Sequence, residues 1–175
     1  MRAAWLMASL LIASGTTLHG QSAPKNSGAW QAWGSLGLMS ASVRAPEYGP
    51  RQSAGGHLSV WATYDRLALS LRSTSIPIYT DETSGIGDQA ILAGVHLPLR
   101  FVKGRDLDLV VAAGGGRSFG IGYLVPAKSE GMFAASAQLN FNYRIVGIGI
   151  DALADVGPSR RFVGTGVSFA LGWFR

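Results

Sequence analysis

The segment from Met132 to Arg144 alternates strictly between two kinds of side chain. It reads M-F-A-A-S-A-Q-L-N-F-N-Y-R, so phenylalanine, alanine, leucine and tyrosine share one parity after the opening methionine, while serine, glutamine, asparagine and arginine share the other. Successive side chains of a strand point to opposite faces, so the segment predicts a strand with one apolar and one polar face. Its length also suits a membrane strand, which needs about 9 to 11 residues.

Seven further segments alternate in the same way, although Trp33 breaks the rule in the first of them. The eight predicted strands cover residues 29–42, 56–64, 66–75, 88–99, 107–117, 132–144, 146–156 and 162–174. An even number of antiparallel strands is typical of bacterial single-chain membrane barrels. The predicted fold class is therefore all-β, an eight-stranded antiparallel up-and-down transmembrane β-barrel.

The gaps between these segments alternate in length. Long gaps at 43–55, 76–87 and 118–130 and a shorter one at 157–161 alternate with tight connections at 64–66, 101–106 and 144–145. Outer-membrane barrels have short periplasmic turns and longer outer loops, so the long gaps predict loops on the outer side. We expect these loops to carry Tyr48, Arg51, Tyr79, Asp81, Tyr123 and Lys128.

The two strand faces predict two environments, because a closed sheet in lipid must be apolar outside and can be polar inside. The predicted lipid-facing residues are Leu67, Leu69, Leu71, Phe133, Leu139, Phe141, Ile148, Ile150, Phe169 and Leu171. The predicted polar network of the lumen comprises Arg72, His96, Asp108, Gln138, Asn140, Asn142, Arg144, Asp151 and Asp155. Carboxylates, amides and arginine at these positions predict a hydrogen-bonded plug rather than a wide pore.

Aromatic residues cluster at the ends of the predicted strands, as in the two aromatic girdles of membrane barrels. The predicted periplasmic girdle comprises Trp30, Tyr64, Phe101, Tyr143, Trp173 and Phe174. The opposite girdle would contain Tyr79, Phe119, Phe133 and Phe162.

The N-terminus has the features of a secretory signal peptide. A basic start at Met1 and Arg2 precedes an apolar stretch from Ala3 to Ser14 and then small and polar residues. We expect a signal peptide over 1–23, cleaved near 20–23, followed by one barrel domain over 24–175. The later chain has no apolar run of ~18 to 20 residues, which argues against a helical span.

Charge and composition argue against several classes of function. The chain has no cysteine, which argues against thiolate metal or redox chemistry and a lipid-anchored cysteine. The net charge is +5 with the charges scattered, which argues against nucleic-acid binding. No spacing of histidines or carboxylates resembles a metal motif, and we expect no cofactor.

Over nearly all of the mature region the pattern resembles that of the small eight-stranded outer-membrane β-barrel families. The last strand of such proteins usually ends in an aromatic residue and is read by the barrel-assembly machinery. The run from Gly166 to Phe174 looks like that signal, although this chain ends in Arg175. The resemblance implies a monomeric protein of the Gram-negative cell envelope in contact with outer-membrane lipids and lipopolysaccharide.

Three functions compete for such a barrel. The favoured one is a structural, adhesive or interaction role through the outer loops, without enzymatic activity. The second is an outer-leaflet acyl hydrolase, since His57 and Ser59 share one strand face and are similar to the His-x-Ser pair of a lipid A deacylase family. The third is a soluble periplasmic lipocalin-like barrel, which would be polar outside and apolar inside.

Overall fold

The computed structural model describes residues 30–46, 49–79, 83–102, 105–122 and 128–174. The signal peptide predicted over 1–23 lies outside these ranges. The eight strands are β1 (Trp30–Ala45), β2 (Gly49–Tyr64), β3 (Leu67–Tyr79), β4 (Thr83–Val102), β5 (Arg105–Ile121), β6 (Glu130–Tyr143), β7 (Val146–Val156) and β8 (Arg161–Trp173).

The strands form one closed antiparallel barrel in chain order. Closure is made by β1 and β8, which pair from Ala32 opposite Trp173 to Arg44 opposite Arg161. The predicted fold class is confirmed. Since every strand has two partners, the barrel spans hydrocarbon without leaving an unpaired edge there.

Two of the long loops predicted from the sequence are largely strand, and the third is strand at its two ends. Strands β1 and β2 remain paired up to Ala45 opposite Gly49, and β3 and β4 up to Tyr79 opposite Thr83. Strand β5 continues to Ile121. The prediction fails there because the polarity of the two faces changes: inward residues such as Val43 and Ile76 are apolar and buried, while outward residues such as Arg44 are polar and exposed. Backbone pairing continues although the apolar face no longer points outward. We call the end of the barrel at which these strands extend the outer end. The connections β1–β2, β3–β4, β5–β6 and β7–β8 belong to it.

Two of the residues predicted in outer loops therefore lie in strands. Arg51 belongs to β2, and Tyr79 is the last residue of β3. Lys128 lies in the connection before β6 and is exposed. The predicted loop residues Tyr48, Asp81 and Tyr123 are outside the described residues.

The opposite, inner end has tight turns. The two-residue connections Asp65–Arg66 and Arg144–Ile145 each contain one residue with positive φ, 54° at Asp65 and 57° at Arg144. The prediction that Arg144 belongs to the lumen network is wrong. Arg144 is exposed in the turn after β6, where its guanidinium carbon lies 5.5 Å from the centre of the Tyr143 ring. Alternation ends with the strand, so parity no longer decides where its side chain points.

The outer face of the barrel is apolar and the inner face is largely polar. Leucines such as Leu38 and Leu67 expose 74% and 69% of their surface. This arrangement is the opposite of that expected for a soluble lipocalin-like barrel, whose apolar residues would line the interior, so that prediction is not supported. All ten predicted lipid-facing residues lie on the outer face, with Leu139 and the others between half-buried and exposed.

Among the described residues, no helix is long and apolar enough to cross a membrane.

Candidate functional site

The centre of the lumen is organised around the amide of Gln138 on β6. Its Nε2 donates to Asp151 Oδ1 at 2.8 Å, Ser168 Oγ at 3.1 Å and Ser35 Oγ at 3.2 Å. Its Oε1 accepts from Asn140 Nδ2 at 3.0 Å and from the indole of Trp33 at 3.2 Å. These contacts link strands β1, β6, β7 and β8 across the barrel, as expected for a polar group removed from water.

Towards the outer end, one guanidinium lies between two carboxylates. Arg72 Nη2 bonds Asp155 Oδ1 and lies 3.6 Å from Asp88 Oδ1, while Nη1 donates to the Ala135 carbonyl at 3.1 Å. All three charged side chains are buried. This ion cluster joins β3, β4 and β7 through groups that would be costly to bury alone.

Asp88 was missed by the sequence analysis, which treated it only as the start of a strand. The available signal was parity, because Asp88 lies on the same face of β4 as the predicted lumen residue His96.

Near the inner end, Asp108 joins two further lumen residues. Its Oδ1 lies 3.2 Å from His96 Nε2, and its Oδ2 accepts from Asn142 Nδ2 at 2.6 Å. The other ring nitrogen of His96 lies 3.1 Å from the carbonyl oxygen of Asp65. The histidine ring is thus held between a carboxylate and the tight turn that closes the inner end.

Aromatic side chains fill the lumen beside these polar groups. The rings of Trp33 and Trp61 stack with their centres 6.0 Å apart, and Phe174 packs on Trp33 at 5.6 Å. Parity is kept at Trp33, which is buried on the same face as its polar neighbours Gln31 and Ser35. Sequence reasoning missed the indole because it required inward residues to be polar.

An apolar cluster fills the lumen at the outer end. Its members are buried and come from four strands and the start of β8: Met39, Ala41, Val43, Ala45, Ile76, Ile78, Ile86, Leu153 and Phe162. A void of about 10 Å³ borders Ile86 and Phe162, close to the space that one water molecule needs.

Eight of the nine predicted lumen residues lie inside the barrel. They are Arg72, His96, Asp108, Gln138, Asn140, Asn142, Asp151 and Asp155.

The predicted aromatic girdles need two corrections. Four of the predicted girdle residues are exposed on the outer face near the inner end: Trp30, Tyr64, Tyr143 and Trp173. The ring centres of Trp30 and Tyr64 lie 5.0 Å apart. Phe174, which follows the last residue of β8, is buried in the lumen, where its ring packs on Trp33. Phe162 is likewise buried rather than exposed. The side chain of Phe101 lies outside the described part of the structure.

The pair His57 and Ser59 is enclosed in the lumen. The Ser59 hydroxyl shares a hydrogen bond of 2.6 Å with Ser35 and accepts from the Trp61 indole at 2.9 Å. His57 Nε2 faces Asp151 Oδ1 at 3.7 Å instead. Acyl transfer needs the imidazole within hydrogen-bond distance of the hydroxyl, whereas here each of the two buried side chains faces other groups.

Glycine makes room for the histidine. Gly37 on β1 is the cross-strand partner of His57 on β2. A Cβ at Gly37 would collide with the imidazole ring. The missing side chain of Gly37 therefore leaves the space that the His57 ring occupies at this level of the lumen. Among the described residues, no group of three or more histidine and acidic side chains is placed to hold a metal ion.

The outer end carries exposed cations on the wall of the barrel. Arg44 and Arg161 are Cα partners on β1 and β8, and both side chains point outward. Arg117 on β5 is also exposed and donates from Nη2 to Gln89 Oε1 at 3.0 Å.

Glu130, the first residue of β6, orders the β7–β8 connection at the same end. Its carboxylate accepts from the Ser159 hydroxyl and from the backbone N–H of Arg160 at 2.8 Å. Partial burial acts to raise the pKa of Glu130, but the bonds from Ser159 and Arg160 together with the Arg160 charge outweigh it and hold the pKa below its usual value.

Comparison with solved structures places this fold beside small outer-membrane barrels. Neisserial surface protein A matches with a TM-score of 0.60 and 9% sequence identity over 81% of this chain and 97% of that chain. Ail, the attachment invasion locus protein of Yersinia pestis, matches with a TM-score of 0.53 and 16% identity over 82% and 98% of the two chains. The fold is that of a small outer-membrane barrel.

No family model matches the sequence, and no curated protein matches it. The shared property with the solved structures is therefore the eight-stranded architecture rather than a set of matched functional residues.

Proposed function

We propose that this chain is an outer-membrane protein that acts by contact at the cell surface, in an adhesive or structural role, rather than by transport or catalysis. The observation that carries the proposal is the combination of a filled lumen with paired hairpins that extend the outer end beyond the apolar wall. Side chains that cross the lumen leave the hairpins and the outer wall as the accessible surfaces.

The lumen argues against a role as a pore. The Gln138 hydrogen bonds, the Arg72 ion cluster and the Trp33–Trp61 stack lie one above another across the interior. Opening a water path would break several buried hydrogen bonds at once, each of which is costly to leave unmade. Purified protein in a planar bilayer should therefore give no stable conductance steps, and reproducible single-channel steps would contradict the proposal.

The adhesive role is supported by the exposed cations of the outer end and by one structural neighbour. Ail of Yersinia pestis has been solved in complex with the heparin analogue sucrose octasulfate, with a TM-score of 0.53 to this chain at 16% identity. An anionic polysaccharide is a reasonable first partner for a surface that presents Arg51 and Lys128.

Adhesion can be tested on whole cells that display the protein. Non-adherent Gram-negative cells that express the chain should bind immobilised heparin more than cells with an empty vector. The double variant Arg51→Gln/Lys128→Gln should lose most of that binding, while Arg144→Gln at the inner end should keep it. Equal binding by all three would exclude these cations as the adhesive surface.

The enzymatic alternative requires Ser59 as a nucleophile. Outer membranes from cells expressing wild type and Ser59→Ala should contain lipid A with the same acylation pattern, as measured by mass spectrometry. A deacylated species that depends on Ser59 would support the hydrolase function instead.

A further inference from the structure

An open groove of about 590 Å³ lies on the outer wall of the barrel, across strands β2 to β5. The residues that form it lie in two adjacent rows of the sheet. The row nearer the centre of the wall contains Val60, Leu71, Ile91 and Gly115, and the row nearer the outer end contains Leu58, Ser73, Gln89 and Arg117.

The first row makes the groove apolar and open. Leu71 and Ile91 are exposed on the outer face, and Gly115 follows Ile91 in the same row without a side chain. A Cβ on Gly115 would meet only the Met132 carbonyl oxygen, at 3.8 Å, so the space above this glycine is free. In a membrane this depression faces lipid, and an acyl chain is the group that fits it.

The second row places a positioned cation directly above the depression. Arg117 donates to Gln89 Oε1 from Nε at 3.3 Å and from Nη2 at 3.0 Å. Because one edge of the guanidinium is bound to a neutral amide, the plane is oriented while Nη1 stays available. Among the described residues, no carboxylate lies within ion-pair distance of Arg117.

We propose that this groove binds one phosphorylated outer-leaflet lipid, the lipid A part of lipopolysaccharide, with a phosphate on Arg117 and an acyl chain on Gly115. Charge complementarity favours an anionic headgroup, since the guanidinium fork matches phosphate geometry and has no protein anion beside it. The outer leaflet follows from the position of Arg117, which lies towards the hairpin end and away from the tight turns.

The test uses the folded barrel in non-ionic detergent and native mass spectrometry, titrated with bisphosphorylated lipid A. Wild type should retain one lipid per barrel. Arg117→Gln should weaken retention by about tenfold or more, because a hydrogen-bonded charge is lost. Gly115→Leu should weaken it similarly without any change of charge, since the new side chain fills the depression.

Arg161→Gln is the matched control, because it removes one exposed arginine from the outer end of another strand without touching the groove. It should change retention less than twofold. Equal losses in the Arg117 and Arg161 variants would overturn the proposal in favour of diffuse attraction, as would unchanged retention in Gly115→Leu.

Phosphatidylglycerol distinguishes the lipid source. Retention as tight as that of lipid A would overturn the assignment to the outer-leaflet lipid. Heat-modifiable migration on gels verifies that each variant is folded, and the comparison of Arg117→Gln with Arg161→Gln decides the proposal even if Gly115→Leu does not fold.

Discussion

Arg44 and Arg161 are direct cross-strand partners where β1 and β8 close the barrel, and both side chains point outward. Like charges directly opposite each other on one face destabilise a sheet. Among the described residues, neither arginine has an acidic partner within ion-pair distance. The outer end of the closing seam is thus a site of electrostatic repulsion in the isolated protein.

Replacing one of these arginines should stabilise the barrel. Arg161→Glu should raise the free energy of unfolding by about 0.2 to 1 kcal/mol, because it converts a like-charge pair into an opposite-charge pair. Urea unfolding in neutral detergent measures the change, and Arg161→Gln should give an intermediate gain. A midpoint for Arg161→Glu that is no higher than that of wild type would contradict the repulsion between the two arginines.

The Gln138 amide should be critical for stability. Gln138→Ala removes the partner of the Trp33 indole and of the Asn140 and Asp151 side chains at once. We expect a loss of about 3 kcal/mol or more, since buried polar groups are left unpaired. The exposed Gln52 is the matched control, and its replacement by alanine should change the unfolding free energy by less than about 0.5 kcal/mol. Similar losses at both positions would argue against the central network.

The position of Phe174 inside the lumen can be tested against a phenylalanine outside it. Phe174→Ala should destabilise the barrel by about 3 kcal/mol, because it leaves a cavity beside Trp33. Phe169→Ala removes a ring that is 54% exposed on the outer face and should cost clearly less in detergent, where micelle chains replace the ring. Indole fluorescence should shift in the first variant and not in the second.

The turn after β6 contains avoidable backbone strain. Arg144 has a φ of 57°, in the left-handed region that asparagine adopts more readily. Arg144→Asn should therefore stabilise the barrel by up to about 1 kcal/mol. Arg66→Asn removes the same charge from a turn position without positive φ and should have little effect, so equal gains would mean that charge rather than conformation is responsible.

The β7–β8 connection should loosen in acid. The pKa of Glu130 is lowered in the folded protein, so its contribution to stability is complete above the unfolded value and is lost as the pH falls through the folded value. Hydrogen exchange of the Ser159 and Arg160 amides should accelerate, beyond the intrinsic pH effect, below about pH 4.5. Glu130→Gln should show fast exchange across the whole range, and protection that persists in that variant would contradict the role of the carboxylate.

Much of the barrel wall could be predicted because the alternation of apolar and polar residues within one strand shows which of its faces meets lipid. Strand β7 begins and ends where the alternation does, at Val146 and Val156. Strand β2 was predicted too short by seven residues, since it begins at Gly49 rather than Gly56. Towards the outer end the outward side chains become polar while inward ones such as Ile76 and Ile86 are apolar and buried, so the apolar-outward pattern that marked the strands ends there.

The lumen was predicted only in part, because inward parity does not specify polarity. The aromatic rings of Trp33, Phe162 and Phe174 lie inside with the amides and carboxylates. Apolar packing fills space in a lumen as well as polar groups do, and which of the two occurs at a given level depends on the side chains of the opposite strands.

The sequence by itself determined the number of strands, their antiparallel order and which face of most strands meets lipid, because these depend on the period-two pattern within each segment. Only the tertiary structure decided the register between strands that are distant in the chain. That register brings Arg44 beside Arg161 and Ser35 beside the Gln138 amide, because barrel closure fixes neighbours that no local pattern encodes.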